Sequence, residues 1–355
     1  MNFINKDCPY CKKSTETKET DFFYQKESYM EILKYEYLKK VNSQNFEEFI
    51  KNNLKLVKCN ECKLIFFKNW FDSETSKKIY NSKPHRVGWG SFYLFYNQNN
   101  KLKEYIKKKI AIFNLINNKI LNIKSYAELN CPFSGLMLLF NFADKEKNFK
   151  LNILNNLAKE KSYFPNIIFK IFNKFKIFFF NCLILKEKTL NIFLKEKNFK
   201  NFFYEEKKFN LPTNINLIKV DNSSLSWNYG CNNMGQNCRK IFSYFKGFKL
   251  VNFEEIEEEN NKSNFKFDLF YLENTIDHIS DLSTTLNRIK KISKNIVIIT
   301  HGKKAGPQHL FYLNEDFFLN YCKLNNLKLH ILTKDITNKD NNDLDNQYYL
   351  LTSTT

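Results

Sequence analysis

The sequence predicts an α/β protein: a mainly parallel sheet with helices on both faces, preceded by a small cysteine-bearing module. Three observations carry that expectation. Two Cys-x-x-Cys pairs lie near the N-terminus, Cys8 and Cys11 in CPYC, and Cys59 and Cys62 in CNEC. Short apolar runs then recur with helix-sized gaps between them, the spacing of βαβ crossovers. Two late apolar runs stand apart across a polar loop, KDITNKDNNDLDN, as an antiparallel pair at one sheet edge would.

Residues 1–72 form the module. Two residues between cysteines let both thiolates reach one ion from a tight turn, and two such turns complete a tetrahedral S4 site. Cys8, Cys11, Cys59 and Cys62 are therefore expected to hold a structural zinc ion, with no position left open for catalysis. Between the turns, Glu27 to Asn53 carries apolar residues at mixed helical spacing and predicts a helix or two. After Cys62, LIFFKNWF is strand-like, and DSETSKKIY reads as an Asp/Ser-capped helix start. Residues 73–122 make a helical connector, with Pro84, Gly88 and Gly90 marking turns and a helix from Lys101 to Asn122.

The main domain takes residues 123–140 and 211–355. Its expected strands are SYAEL (Ser125 to Leu129), NLIKVD (Asn216 to Asp221), FKLVNF (Phe248 to Phe253), FDLFYL (Phe267 to Leu272) and NIVIIT (Asn295 to Thr300). The late pair is LKLHIL (Leu327 to Leu332) and QYYLLTS (Gln347 to Ser353). Residues 141–210, rich in Phe, Lys and Asn with only Pro165 as a breaker, read as a helical insertion. Its apolar faces would pack on the domain or cap the site. Lys and Phe on opposite faces would also suit peripheral contact with a membrane surface or a partner.

Composition narrows the class. The formal charge of +19 points to an anionic partner, but the cations are nearly all lysine, with Arg86, Arg239 and Arg288 the arginines. Arginine's bidentate fork suits phosphate and base recognition better, so the charge reads as a solvated lysine surface and not as a nucleic-acid site. Nine cysteines, four of them in metal-like pairs, fit a reducing compartment. The N-terminus reaches its first metal turn without an apolar core, unlike a signal peptide. The most apolar run, Ile167 to Leu185, is broken by Lys170, Asn173, Lys174, Lys176 and Asn181, so no spanning helix is expected. The chain reads as soluble and cytoplasmic.

Two segments carry further chemistry. The turn after the first strand, Glu128-Leu129-Asn130-Cys131-Pro132-Phe133-Ser134-Gly135, lies at the carboxyl end of the sheet, where a doubly wound fold docks its ligand. FDLFYLENTIDHISDL places Glu273, Asp277 and His278 just past another strand. This second phrase resembles a signature of class I S-adenosylmethionine-dependent methyltransferases, with Asp277-His278 standing for their Glu-His. AELNCPFSG resembles their first motif, an acid followed by a glycine-rich turn: Glu128 keeps the acid and Cys131 the cysteine. CxxC, a long gap, then CxxC-Lys-Leu-Ile-Phe-Phe and a segment ending in Tyr80 is similar to the zinc-binding sugar and polysaccharide-biosynthesis methyltransferases within that group. The resemblance spans most of the chain except the insertion. It implies a Rossmann-like seven-stranded sheet, parallel with an antiparallel last strand.

The resemblance also implies roles. Glu128, Asn130, Cys131, Ser134 and Gly135 would face the methionine portion of S-adenosylmethionine, and Asp221 the ribose hydroxyls. Asn252 and Phe253 would lie near the adenine, while Leu272, Glu273 and Asn274 would close the pocket under the sulfonium. Candidate bases are His278, His301, His309 and Tyr80, since a histidine near neutral pKa suits proton removal. His309 lies in GPQHLFYLNEDF, which resembles the segment after the fifth strand of those enzymes. His85, beside Arg86 and Trp89, would touch an acceptor entering between the modules. Trp227, in the loop holding Cys231 and Cys238, would stack on a ring or join the core. The expected reaction is methyl transfer to a small-molecule or sugar-nucleotide acceptor. Asn130 and Pro132 where glycines belong, and Lys294-Asn295 where the family has Pro-Gly-Gly, keep open a binding or scaffold protein without transfer activity. RNA methylation is a third reading, carried by the lysine excess alone.

Overall fold

The structure, a computed structural model, describes residues 3–5, 7–13, 17–19, 55–72, 99–120, 122–129, 136, 216–221, 249–301, 309, 311–333 and 346–354. The expected helices within 27–53, the helix start after residue 72, the turn 130–135, the insertion 141–210, Tyr80, His85 and the Trp227 loop lie outside them.

The architecture is mixed α/β, with a mixed sheet and a cysteine cluster. The N-terminal elements are β1 (Phe3–Asn5), β2 (Thr17–Glu19), β3 (Leu56–Cys59), β4 (Ile65–Phe67) and β5 (Asn69–Phe71). Helix α1 (Asn99–Asn117) leads into β6 (Ser125–Leu129), β7 (Asn216–Asp221), β8 (Lys249–Asn252), α2 (Phe253–Ser263) and β9 (Leu269–Glu273). A 3-10 turn (Ile276–His278), α3 (Leu282–Ile292), β10 (Asn295–His301), β11 (Phe311–Tyr312), α4 (Glu315–Asn325), β12 (Leu327–Ile331) and β13 (Asn346–Ser353) follow.

The main sheet runs β12-β13-β10-β9-β6-β7-β8. Strands β6 to β10 pair in parallel, and β13 is antiparallel to both β10 and β12. The late pair is thus antiparallel as expected, but β13 lies inside the sheet and only β12 forms the edge. The edge strand's burial fits this: it is half-buried, whereas Tyr348 to Leu351 of β13 are wholly buried. Alternate residues of each buried strand serve opposite faces. Tyr126, Leu269, Tyr271, Val297, Ile299, Tyr348 and Leu350 pack with α1, while Ala127, Leu129, Phe270, Leu272, Ile296, Ile298 and Tyr349 pack with α2, α3 and α4.

Helix ends follow local chemistry. Asp281 accepts a hydrogen bond from Thr284 N–H at the start of α3, and Asn314 accepts one from Phe317 N–H at the start of α4. Asn264 and Asn326 end α2 and α4 in the left-handed conformation that asparagine tolerates.

The module is attached through the sheet. Strands β11, β4, β3 and β2 form a second antiparallel sheet, so a segment of the main domain completes the one that carries the cysteines. Apolar packing is continuous across the junction: Val57, Leu64, Phe66 and Trp70 share one core with Phe311, Leu313 and Phe317. Tyr10, inside the first Cys-x-x-Cys, sets its ring edge-on to Phe317 at 5.2 Å. No helix among the described residues is long and apolar enough to cross a membrane.

Candidate functional site

Among the described residues, two clusters of side chains could ligate a metal ion. The first is the expected quartet. Each Cys-x-x-Cys closes a knuckle in the same way: Lys12 N–H donates to Cys8 C=O at 2.9 Å and Lys63 N–H to Cys59 C=O at 3.0 Å. Lys12 and Lys63 both take positive φ, 57° and 66°, to turn the chain back. The turns bring Cys8 Sγ to 3.5 Å from Cys62 Sγ, and Cys11 Sγ to 3.9 Å from Cys59 Sγ. Zinc–thiolate bonds of about 2.3 Å in a tetrahedron separate the sulfurs by about 3.8 Å. The donor set therefore fits zinc.

The electrostatics agree. Hydrogen bonding from Cys62 draws the Cys8 thiol down to about 6. Sharing that proton with Cys8 pushes Cys62 up, and burial pushes Cys11 up to about 12. One thiolate forms readily, and Cys11 and Cys62 resist ionising beside it. A cation at the centre removes that conflict.

The second cluster lies at the carboxyl ends of β9 and β10 and holds all three candidate histidines. Asn274, at φ 45°, turns the chain after β9 and donates its N–H to Ile299 C=O. The 3-10 turn that follows buries Asp277 and His278. His301 ends β10, and His309 precedes β11. Asp277 Oδ2 lies 2.5 Å from His301 Nδ1 and 2.9 Å from His309 Nδ1. It also accepts from His301 N–H at 3.4 Å and Thr300 Oγ at 3.5 Å. The His309 ring centroid is 4.1 Å from that of His301 and 4.4 Å from that of His278.

Burial opposes ionisation of Asp277, yet His301 and His309 beside it hold its carboxyl well below the usual carboxylate range. Burial lowers the pKa of His309, reinforced by His301 and opposed by Asp277. A buried carboxylate thus faces imidazoles of which His301, 30% exposed at its side chain, is the one open to solvent. Tyr80, the fourth candidate base, lies outside the described residues.

The expected cofactor residues fall into three groups. Glu128 and Glu273 sit at the ends of β6 and β9, both buried. Tyr126 donates its hydroxyl to Glu128 at 2.6 Å and accepts from Leu136 N–H at 3.0 Å. Glu273 is ion-paired with Lys109 of α1 and accepts from the Tyr271 hydroxyl at 3.0 Å. Phe253 opens α2 instead of ending β8; it is wholly buried, its ring stacked on Phe270 and under the Arg288 guanidinium. Leu272 is buried, Asn252 ends β8 half-buried, and Asn274 forms the turn above. Asp221 ends β7, while Asn130, Cys131, Ser134 and Gly135 lie outside the described residues.

Sequence reasoning gave Lys109 no role, although the third lysine of KKKIAIF, on the apolar side of an amphipathic helix, was the signal available. It gave Asp277 a place in a motif but not the carboxylate's contact with both His301 and His309. Spacing along the chain does not show that convergence.

No protein-family profile matches the chain. It is similar to Protein Ycf2 of Physcomitrium patens, with 25% identity over 333 residues, which is 83% of this chain and 14% of that protein. The chain therefore spans only a small part of the relative's length. At that identity the likeness assigns the chain to no family and bears on no reaction.

Proposed function

We propose that this protein is an S-adenosylmethionine-dependent methyltransferase on a Rossmann-like sheet, with a structural zinc module, acting on a small or sugar-containing acceptor. The observation that carries the reading is the strand order. Counted from β6 in chain order, the sheet reads 6-7-5-4-1-2-3 with only the seventh strand reversed, the arrangement of the class I methyltransferase sheet. In such sheets the ligand sits beyond the carboxyl ends of the strands at the switch between the first and fourth. Here those strands are β6 and β9, and their ends carry Glu128 and Glu273.

Cys8, Cys11, Cys59 and Cys62 would hold zinc, which supplies a fixed fold for the module and no reactive position. Asp221 at the end of β7 would hydrogen-bond the ribose, and Asn252 at the end of β8 would lie by the adenine. Transfer requires acceptor atom, methyl carbon and sulfur in line, with a base for the acceptor's proton. His301 would serve that role: with its Nδ1–H donated to the Asp277 carboxylate, the ring is oriented and Nε2 keeps its lone pair. S-adenosylmethionine, held by the residues at the carboxyl ends of β6 to β9, would supply the methyl group, and His301 would accept the proton that the acceptor gives up.

Calorimetric titration with S-adenosylmethionine tests the reading, and absence of binding at high micromolar cofactor sinks it. With a transferring acceptor in hand, His301→Asn is expected to lower kcat about 10²–10⁴-fold with cofactor affinity kept. A second reading, a binding protein on the same sheet, is favoured by the engagement of Glu128 with Tyr126 and of Glu273 with Lys109. It predicts cofactor affinity without turnover. Methylation of RNA would instead require salt-sensitive RNA affinity.

A further inference from the structure

We propose that Asp277, His278, His301 and His309 form a second metal site, distinct from the cysteine quartet, which takes a divalent first-row transition ion of the zinc class. One ligand atom from each lies within 4.8 Å of all the others. Bonds of about 2.0–2.2 Å to imidazole nitrogen and carboxylate oxygen give a tetrahedron with edges of about 3.4 Å. Reaching that size lengthens the contacts of Asp277 with His301 and His309 and shortens the wider separations, moving each atom by about 1 Å, within reach of side-chain torsions. Three imidazoles and one carboxylate are the donors that zinc, ferrous and related ions prefer, with no thiolate to favour softer chemistry.

A second observation points the same way. His309 is 2% exposed, and among the described residues neither of its ring nitrogens makes a hydrogen bond; Asp277 Oδ1, on a residue 1% exposed, makes none there either. His309 Nδ1 lies 2.9 Å from Asp277 Oδ2 but off hydrogen-bond alignment. Buried polar atoms without partners are rare because each destabilises the fold. An ion bound to one His309 nitrogen and to Asp277 accounts for two of the three. Asp277 supplies the negative charge, and the part-exposed His301 leaves a route for entry.

This inference does not depend on methyl transfer. Ion and proton compete for His301, so a loaded site would suppress any reaction in which His301 acts as base. A chain that binds two ions but never S-adenosylmethionine would overturn the transferase reading alone. A chain that binds the cofactor but one ion would overturn the metal site alone.

The test is a cobalt(II) titration of the full chain, stripped with chelator and kept reduced, followed by absorption and by metal analysis. The expected result is two ions per chain: one with the thiolate-to-cobalt charge-transfer band of an S4 site, one with ligand-field bands only. Asp277→Asn and His301→Ala should each reduce the count to one and leave the charge-transfer band intact. His301 is half-buried at the end of its strand, so its alanine variant decides the matter if Asp277→Asn does not fold. Saturation of the wild type at one ion, or two ions retained at unchanged affinity by His301→Ala, overturns the proposal.

Discussion

Lys109→Met is the most demanding test of the packing described. Lys109 and Glu273 are 1% and 8% exposed at their side chains, so their ion pair is buried between α1 and the end of β9. Removing the cation leaves the Glu273 carboxylate in the core with the Tyr271 hydroxyl as its donor. Breaking a buried pair from one side costs about 3–5 kcal/mol, because the remaining charge loses its compensation. Adding Glu273→Gln removes that charge too, and the amide oxygen still accepts from Tyr271; the double variant should be only about 1–2 kcal/mol less stable than wild type. The assay is urea unfolding followed by far-UV circular dichroism. With a slope of about 2–3 kcal/mol per molar, the single variant's midpoint falls by about 1–2 M. The double variant should fall short of the sum of the single changes by at least about 3 kcal/mol. A midpoint shift below about 0.5 M for Lys109→Met, or simple additivity, would refute the argument that this pair is buried and coupled.

Three further outcomes are expected. Cys59→Ser, or chelation of the wild type, should abolish the S4 charge-transfer band and shift Trp70 emission to the red, since Trp70 is 1% exposed in the core that the module shares with α4. Asp268 accepts from Lys124 N–H, Ser125 N–H and Ser125 Oγ at 2.9–3.0 Å and from Lys294 at 2.8 Å; burial opposes its ionisation, but Lys294 and these donors outweigh it and lower its pKa. Its contribution is therefore complete above the unfolded carboxyl value of about 3.9 and is lost as pH falls through the lower folded value. Asp268→Asn should cost about 1.5–3 kcal/mol at neutral pH, with the gap to wild type closing in acid unfolding curves below about pH 4. Lys63→Gly should raise the module's thermal midpoint by relieving the φ of 66°, a gain of about 0.5–1 kcal/mol, and a loss of cobalt binding in that variant would show that Lys63 does more than turn the chain.

Much of the strand layout was legible because period and punctuation are local. SYAEL and NLIKVD form β6 and β7 at the expected residues, and NIVIIT is extended by one residue to His301. The Cys-x-x-Cys pairs predicted their own knuckles, since ligand spacing fixes a turn whatever surrounds it. LIFFKNWF reads as one strand but forms two, β4 and β5, broken at Lys68, because the halves pair with different partners, β11 and β1. Phe253 looked like the end of a strand because FKLVNF is apolar at its close; the two glutamates after it, favourable in a first helical turn, make it the start of α2. The antiparallel pairing of β12 with β13 was readable, whereas the placement of β13 beside β10 was not. Both runs are apolar, and which one takes the interior depends on partners far off in the chain. The same limit hid Lys109, whose partner is 164 residues away.

The two clusters are linked by a short structural path. Cys59 ends β3, the CNEC knuckle turns the chain, and β4 follows within three residues of Cys62. Strand β4 pairs with β11, where Phe66 faces Phe311 and Ile65 faces Tyr312. His309 stands two residues before that strand. The pairing of β4 with β11 therefore ties the strand that follows His309 to the strand that follows the second cysteine knuckle. From the other side, β10 fixes His301, and the turn after β9 fixes Asp277 and His278. Three elements that meet nowhere in sequence are thus needed to converge the four side chains. An ion on the cysteine quartet would then act without any chemistry of its own, by steadying the strand beside which the histidine segment pairs. Exposed ion pairs such as Lys58 with Asp316 and Lys12 with Asp281 add little to that registration. The shared apolar core and the β4–β11 pairing carry it.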